Sequence, residues 1–565
     1  MSIDHTPSPP IDCAILGGKV ITLDPHETIT SAVAIRDGII VALGEDHAIE
    51  SLCSGSTRRI NAAGNAVIPG LIDGHAHMDR EGLKDQLPSL AGCGSIDDIL
   101  QRIEKWAAET PAGEWIVTMP IGDPPFYENV PGCLGEGRLP TRHDLDRVAP
   151  DHPVYIRAIW GHWRNTLPLV SIANTKALAS AGIDRHTLPP APSIQIDRDL
   201  AGDPSGVFYE FTYKPLVEKT LMSGIPQFSA DDRVRGLTDS MRAYNRTGTT
   251  SVFEGHGVAT EVLQAYQRLR DQGPLPVRAT LMFSPAWPST DPHAVADLLT
   301  DWGRWLAGRG LGDEWLRVAG LYTESDFSEE NRLRATCGPY TGWAGFNFDC
   351  ALPEDTMVEM MIEAARLGVR IGSFTPNILD LYERVNRAVP MSEQRWIVEH
   401  VGIIKPDEIA RMRDLGVVLQ AYTNKYIWQD GETLRATLGE SGANDVVPMR
   451  NLLDAGIHVS LATDNVPPTL FAPIYHVVSR RTETGTEPLG PAQALSPLEA
   501  LACASREGAW LSFEEDFKGT LEIGKAADLA ILTHDPLTVD ETVLPDIAAT
   551  CVITGGKVVW EAGAD

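Results

Sequence analysis

No two of the eight cysteines in this chain are spaced C-x-x-C; they lie scattered from Cys13 to Cys551. That excludes a zinc ribbon and gives no disulfide framework. Long hydrophobic runs are missing as well. No apolar stretch reaches the roughly 18 residues of a membrane span. Positive charge is scarce, with Lys+Arg at 47 against Asp+Glu at 77 and a formal net charge of −30. Such a surface repels nucleic acid and anionic membranes and disfavours polyanionic substrates. No glycine-rich phosphate loop follows an apolar strand, which weakens any nucleotide-binding reading. The opening "MSIDHTPSPPIDCAIL" has neither a basic segment nor a long apolar segment of the signal-peptide kind. A reduced, cytoplasmic location is therefore expected. What is present is ordinary for a globular protein, with 43% apolar and 22% charged residues. A chain of 565 residues suits one large catalytic domain with a smaller one beside it.

The two ends look alike. "CAILGGKVITLDP" and "SAVAIRDGIIVALG" near the start match "AADLAILTHDP" and "TCVITGGKVVWEAG" near the end in being β-rich runs broken by turn pairs. Isolated hairpins are marginal, so a small β-sandwich built from both termini, residues 1–68 with 516–565, is expected. Between the ends the pattern becomes helix, glycine, strand. It recurs in "PEDTMVEMMIEAARLGVRIGSF", "KPDEIARMRDLGVVLQAY" and "PMRNLLDAGIHVSLATD", with stops at Gly368, Gly416 and Gly456. "SADDRVRGLTDSMRAYNRTGTTSVFE" adds a helix with a Ser229–Asp232 capping pattern and a strand. Repeating β/α units predict an α/β fold, a (β/α)8 TIM barrel over 69–515, with chemistry at the C-terminal ends of its strands. A doubly wound open sheet is the alternative. The interval from about 80 to 246 is long for one unit. It reads as barrel elements carrying a large insertion over the mouth, and includes a capped helix in "SIDDILQRIEKWAAE".

Within "LIDGHAHMD", His75 and His77 stand two apart at the end of an apolar run. Alternate residues of a strand share a face, so the two imidazoles can meet one metal ion. The other titratable residues at predicted strand ends are Glu254 and His256, Glu324 and Asp326, His400 and Asp464. A barrel would gather these onto one rim. Three histidines and an aspartate make a sensible shell for zinc or a similar ion, and an aspartate there can also move a proton. Taken singly, each residue has a plainer reading as a loop, turn or hydrogen-bonded core residue. Trp160, Trp163, Phe253, Tyr322, Tyr422 and Trp428 could line the mouth with aromatic surface.

"NAVIPGLIDGHAHMD" resembles the first-strand signature of the amidohydrolase superfamily, and "GTLEIGKAADLAIL" the segment by which its chains return to the small sandwich. "PTRHDLDRVAPDHPVYIRAIWGHWRNTLP", "ANTKAL" and "DPSGVFYEF" resemble the YtcJ-like branch, which includes N-substituted formamide deformylases. The likeness runs from "GGKVITLDP" to "GGKVVW". It implies a distorted barrel with a metal at its mouth, and hydrolysis by metal-bound hydroxide. His75, His77 and Asp464 would hold the ion; His400 would hold a second ion or the substrate. His162 would line the substrate pocket, with His256 and Tyr322 as further substrate-binding candidates. Two positions depart from the pattern. Where the branch carries a carboxylated lysine on the fourth strand stand Ala319 and Gly320, and where it carries a histidine on the fifth stands Ser373. Glu324 is the best substitute carboxylate and is counted among the metal candidates.

These readings imply a metal-dependent hydrolase cutting a C–N bond of a small non-peptide amide, cyclic amide or formamide-like substrate. Asp464 and His400 are its catalytic residues. The cofactor is a divalent metal, Zn2+ first, with one ion favoured over two because the bridge is lost. An ester or lactone hydrolase, or a lyase or decarboxylase, on the same barrel is one alternative. A catalytically silent small-molecule-binding relative is another. The partners expected are a small-molecule substrate and, as a homo-oligomer, further copies of the chain; nucleic acid and membrane are not.

Overall fold

Apolar strands preceded by glycine-stopped helices have no way to bury both faces except in a covered parallel sheet. The structure is a computed structural model; it describes residues 10–564 apart from 160–166, 288, 326–327, 338–341, 344, 346 and 348–349. Eight parallel strands lie side by side: Leu71–Ala76, Thr249–Val258, Arg278–Phe283, Leu316–Tyr322, Ile371–Ser373, Ile397–Glu399, Val418–Tyr422 and Val459–Ala462. They are called the first to the eighth strand below. The eighth returns to the first. There the Asp464 N–H donates to the His75 carbonyl at 2.9 Å, and the Asp73 carboxylate accepts the Thr463 N–H at 3.1 Å. The expected (β/α)8 barrel is thus present. Its helices stop as read: Gly368, Gly416 and Gly456 follow them at φ 73°, 64° and 77°. Ser229 and Asp232 form the capping box, and Ser95 caps the helix Ile96–Glu109.

Phe253, Met282, Tyr322, Ile397 and Val418, from five of the strands, share one buried cluster inside the barrel. Charged groups fill the space around the strand starts. Lys518 Nζ lies 2.7 Å from Glu514 and donates to Ser251 Oγ at 2.9 Å, while Arg317 meets Glu514 from the fourth strand.

Two further sheets stand at the chain ends. One is four-stranded, in the order 39–44, 32–36, 13–16, 58–61. The other is six-stranded and mixes both termini, in the order 557–561, 549–554, 529–532, 66–69, 19–21, 29–30. Ile15, Val33, Val67, Leu529 and Ile553 are buried in one cluster between them.

In the interval read as barrel elements plus insertion, the helix Ala230–Arg246 packs Leu237, Met241 and Tyr244 against Val252 of the second strand. The interval's described strands form a separate five-stranded sheet, in the order 194–198, 204–210, 169–173, 154–156, 116–118, and none of these joins the barrel. Three of its four pairings are antiparallel, a geometry that needs no crossover helix, so this segment closes on itself. It leaves the chain after the first strand's C-terminal end, which puts it at the mouth. Leu83, Met119, Tyr127, Ile159 and Phe228 pack with the interior cluster from above.

Candidate metal centre

All six residues of the first strand are buried, and it ends by presenting His75; His77 follows at the N-cap of the helix Met78–Leu83. Their Nε2 atoms are 3.2 Å apart. The sixth strand hands on to His400, whose Nε2 lies 3.0 Å from that of His75. The eighth hands on to Asp464, whose Oδ1 lies 2.9 Å from His77 Nε2. Around one tetrahedral zinc ion, neighbouring nitrogen and oxygen donors stand about 3.3 Å apart. The three separations fit edges of a single coordination shell.

The protonation pattern fits as well. Gln420, on the seventh strand, places Oε1 2.8 Å from His75 Nδ1. An amide oxygen only accepts, so Nδ1 carries the hydrogen and Nε2 keeps its lone pair toward the other donors. Burial, and then His77 beside it, push the His75 pKa down to about 3, so the ring is neutral. Asp464 Oδ1 is buried and receives no aligned hydrogen bond from a described group. A carboxylate oxygen left that way is costly unless a cation meets it. His256, His400 and Asp464 have φ of 50°, 54° and 50°, a left-handed backbone that non-glycine residues enter at a cost. The fold holds all three so that their side chains converge. Among the described residues two donor triplets have all their ligand atoms within 4.8 Å: His75, His77 and His256, and His75, His400 and Asp464.

Buried acids surround these histidines. Glu254 accepts the Met78 N–H at 3.0 Å and the Tyr266 hydroxyl, and faces His77 Nδ1 at 3.8 Å. Burial, and next the neighbouring Asp79, raise its pKa well above the usual carboxylate range. Glu399 lies 2.9 Å from His256 Nδ1 and is raised by burial to about 8. A cation bound beside it would draw that value down again. Asp73 accepts the N–H groups of His75 and Thr463, each at 3.1 Å. Burial takes it to about 7. Sequence reasoning gave no role to Glu399, Gln420 or Asp73. The available signal was alternation: Glu399 and Gln420 each follow by two residues an interior side chain, Ile397 and Val418.

Other expected residues stand elsewhere. Glu324 is buried but accepts from the Tyr322 hydroxyl and from Asn331 Nδ2, each at 3.2 Å, and belongs to neither donor triplet. Tyr322 packs its ring 5.4 Å from that of His256. Ser373 bonds to Thr375 Oγ1 at 3.1 Å, and the next residue, Phe374, packs on His256 at 4.9 Å. At Gly320, φ is 116°, and an added Cβ would meet Arg370 Cγ at 2.8 Å and Met282 Sδ at 2.9 Å. Of the aromatic candidates, Tyr422 stands 4.9 Å from His400 and Trp428 stacks on His476. His162, Trp160, Trp163 and Asp326 lie outside the described residues.

The model of the Amidohydrolase family matches residues 58–560. The chain belongs to the amidohydrolase family. It is a hydrolase of that family, on a barrel whose strand ends carry the donors above. It is 26% identical to the N-substituted formamide deformylase of Arthrobacter pascens over 549 residues, covering 93% of this chain and 94% of the relative. It is 23% identical to the putative amidohydrolase YtcJ of Bacillus subtilis (strain 168), covering 96% and 98%. In structure it resembles an uncharacterized metal-dependent hydrolase from Pyrococcus horikoshii OT3, with a TM-score of 0.66, 22% identity, and 94% and 99% of the two chains covered. Among the described residues no helix of this family member is long and apolar enough to cross a membrane.

Proposed function

We propose that this amidohydrolase is a one-metal enzyme that hydrolyses the C–N bond of a small non-peptide amide, with N-substituted formamides as the leading substrate class. The observation that carries the reading is a chain of close donor contacts, His400 to His75 at 3.0 Å, His75 to His77 at 3.2 Å and His77 to Asp464 at 2.9 Å. Three imidazoles and one carboxylate suit zinc best among common divalent ions. A single ion is favoured because, among the described residues, none stands in at the places of the second ion's usual fourth- and fifth-strand ligands. Arg370 and Met282 fill the space beside Gly320, Ser373 is turned to Thr375, and Glu324 serves Tyr322 and Asn331.

When bound, a divalent ion supplies Lewis acidity, polarising a carbonyl and lowering the pKa of water from about 15.7 toward about 7. The chain's own residues do the rest. Gln420 holds His75 in the tautomer that offers Nε2. Asp464 is the base that takes the proton from the attacking water and passes it to the departing nitrogen. His400, with Nε2 3.0 Å from that of His75, fixes the position of that ring. The paired rings of Tyr322 and Phe374, 6.2 Å apart, offer an apolar wall beside His256 for the substituent on nitrogen. The likeness to a formamide deformylase over nearly the whole chain supports the formamide choice.

The experiment is formate release from a panel of N-substituted formamides, alongside acyclic and cyclic amides, with zinc counted by elemental analysis. Zinc-loaded protein should release formate, and His75→Ala or Asp464→Asn should lower kcat at least 1,000-fold while leaving the circular dichroism spectrum unchanged. A chain that binds zinc yet cleaves no member of the panel would refute the reaction. Near-native turnover by either variant would refute the roles given to these residues.

A further inference from the structure

His256 is held in place more tightly than a substrate-facing loop residue requires. It lies within the second strand, yet its φ is 50°. A Cβ on Gly255 before it would stand 2.0 Å from His75 Cε1 and 2.1 Å from His75 Nδ1. A Cβ on Gly257 after it would stand 2.7 Å from the Cβ of Tyr322. No side chain fits on either side, so the segment is shaped around this one ring. The ring meets His75 edge-on at 4.6 Å, lies nearly parallel to His77 at 5.4 Å and tilts over His400 at 4.7 Å. Its nitrogen comes within 4.8 Å of donor atoms on both His75 and His77.

On its other side stands Glu399, fully buried, with Oε2 2.9 Å from His256 Nδ1. Neither Glu399 oxygen accepts an aligned hydrogen bond from a described group, and His256 Nδ1 makes none either, so the two face each other as a close approach with both needs unmet. A buried, unsatisfied carboxylate facing one imidazole nitrogen is the outer half of a carboxylate–histidine–metal arrangement. If Nδ1 carries the hydrogen toward Glu399, Nε2 keeps the lone pair.

We infer that His256, through Nε2, is an additional ligand of the ion proposed above, and that Glu399 is the positioning residue that fixes its tautomer and orientation. The inference rests on the one-metal reading and deepens it. The second strand then supplies an imidazole in a family member whose fourth- and fifth-strand ligands are gone. The ion's two positive charges are matched by two carboxylates, Asp464 in contact and Glu399 one ring away. The site becomes a four-imidazole, one-carboxylate shell that tightens one ion instead of admitting a second.

Metal binding tests this without reference to turnover. Metal-free full-length protein is titrated with zinc in competition with a chromogenic chelator, and separately with Co2+ while the visible absorption is recorded. The unmodified chain should take one ion. His256→Gln should weaken zinc at least 100-fold and change the cobalt spectrum toward a lower coordination number. Glu399→Leu should weaken zinc about 10- to 100-fold, as loss of an outer partner does. Glu399→Gln should recover part of that, since its amide oxygen still accepts from Nδ1. Unchanged affinity and an unchanged cobalt spectrum in His256→Gln would overturn the inference while leaving the one-metal reading standing. An unmodified chain that takes up no ion would overturn the reading itself, and the inference with it. Should His256→Gln fail to fold, X-ray absorption of the zinc-loaded native chain decides: four imidazoles support the inference and three overturn it.

Discussion

Gly255 has no side chain to contribute, yet it decides where His75 can be. The His75 ring lies where the Cβ of any other residue at 255 would go, with its Nδ1 and Nε2 within 2.2 Å of that point. Gly255→Ala should therefore turn the His75 ring, break its 2.8 Å contact with Gln420 and spoil the donor geometry. The cost to folding should be the ordinary overpacking cost of about 1–3 kcal/mol. The cost to zinc affinity should be larger, at least ten-fold in Kd. Chelator competition and a urea melt on the same sample separate the two, and an unchanged Kd would show that His75 does not depend on this contact. At this scale the sequence was legible wherever a titratable residue closed a strand, as with His75, His400 and Asp464. It was not legible where the residue sat within the strand itself. Glu399 and Gln420 stand in strands of three and five residues, where the only trace is a single two-residue step from Ile397 and from Val418.

Helices and their stops were the most readable elements, because proline, serine and glycine act on their own neighbours. Strand partners were less readable. The segment between the first and second strands pairs with itself through contacts distant in sequence, which no local signal records. The fourth strand shows the limit in another form. A missing lysine at Gly320 reads in sequence as a lost ligand, whereas in space it is a position already filled. Arg370 crosses it, with Nε donating to the Ala319 carbonyl at 2.9 Å and its guanidinium 4.9 Å from the Phe253 ring centre. Gly320→Lys, which puts a lysine at one of the two positions where the branch carries it, should thus fail to restore a second ion. It should also destabilise the fold by several kcal/mol, since it forces a side chain into φ 116° and displaces a buried arginine. Thermal unfolding with elemental analysis checks both. A variant that gained a second firmly bound ion at native stability would show that the space is open after all.

Across the whole molecule, the barrel and the sheets at the chain ends are proposed as two units, 69–515 and 1–68 with 516–565, and one buried pair stands at their junction. Arg278 opens the third strand; Asp528 lies just before the strand 529–532. Their Nε–Oδ2 and Nη2–Oδ1 distances are 2.7 and 3.1 Å, a fork meeting a fork, and the side chains are 3% and 4% exposed. The guanidinium also lies over the Trp315 ring at 3.9 Å, and Asp528 Oδ1 accepts the Gly555 N–H at 2.7 Å. Burying two charges is itself expensive, so the pair's value lies in not being broken rather than in adding stability. That distinction makes opposite predictions for one substitution and for two. Asp528→Ala strands a buried cation and should cost about 3–5 kcal/mol. Arg278→Met with Asp528→Leu removes both charges and should cost clearly less than the single change. Urea unfolding followed by tryptophan fluorescence and by far-ultraviolet circular dichroism measures both. In Asp528→Ala the part of the fluorescence change that is lost in a Trp315→Phe background should come at lower urea than the circular dichroism change, because Trp315 stands at the junction while the barrel's backbone persists to higher urea. A single change costing under about 1 kcal/mol would show that the two units are held by their apolar contacts alone. A double variant weaker than the single one would show instead that the ion pair stabilises the junction outright.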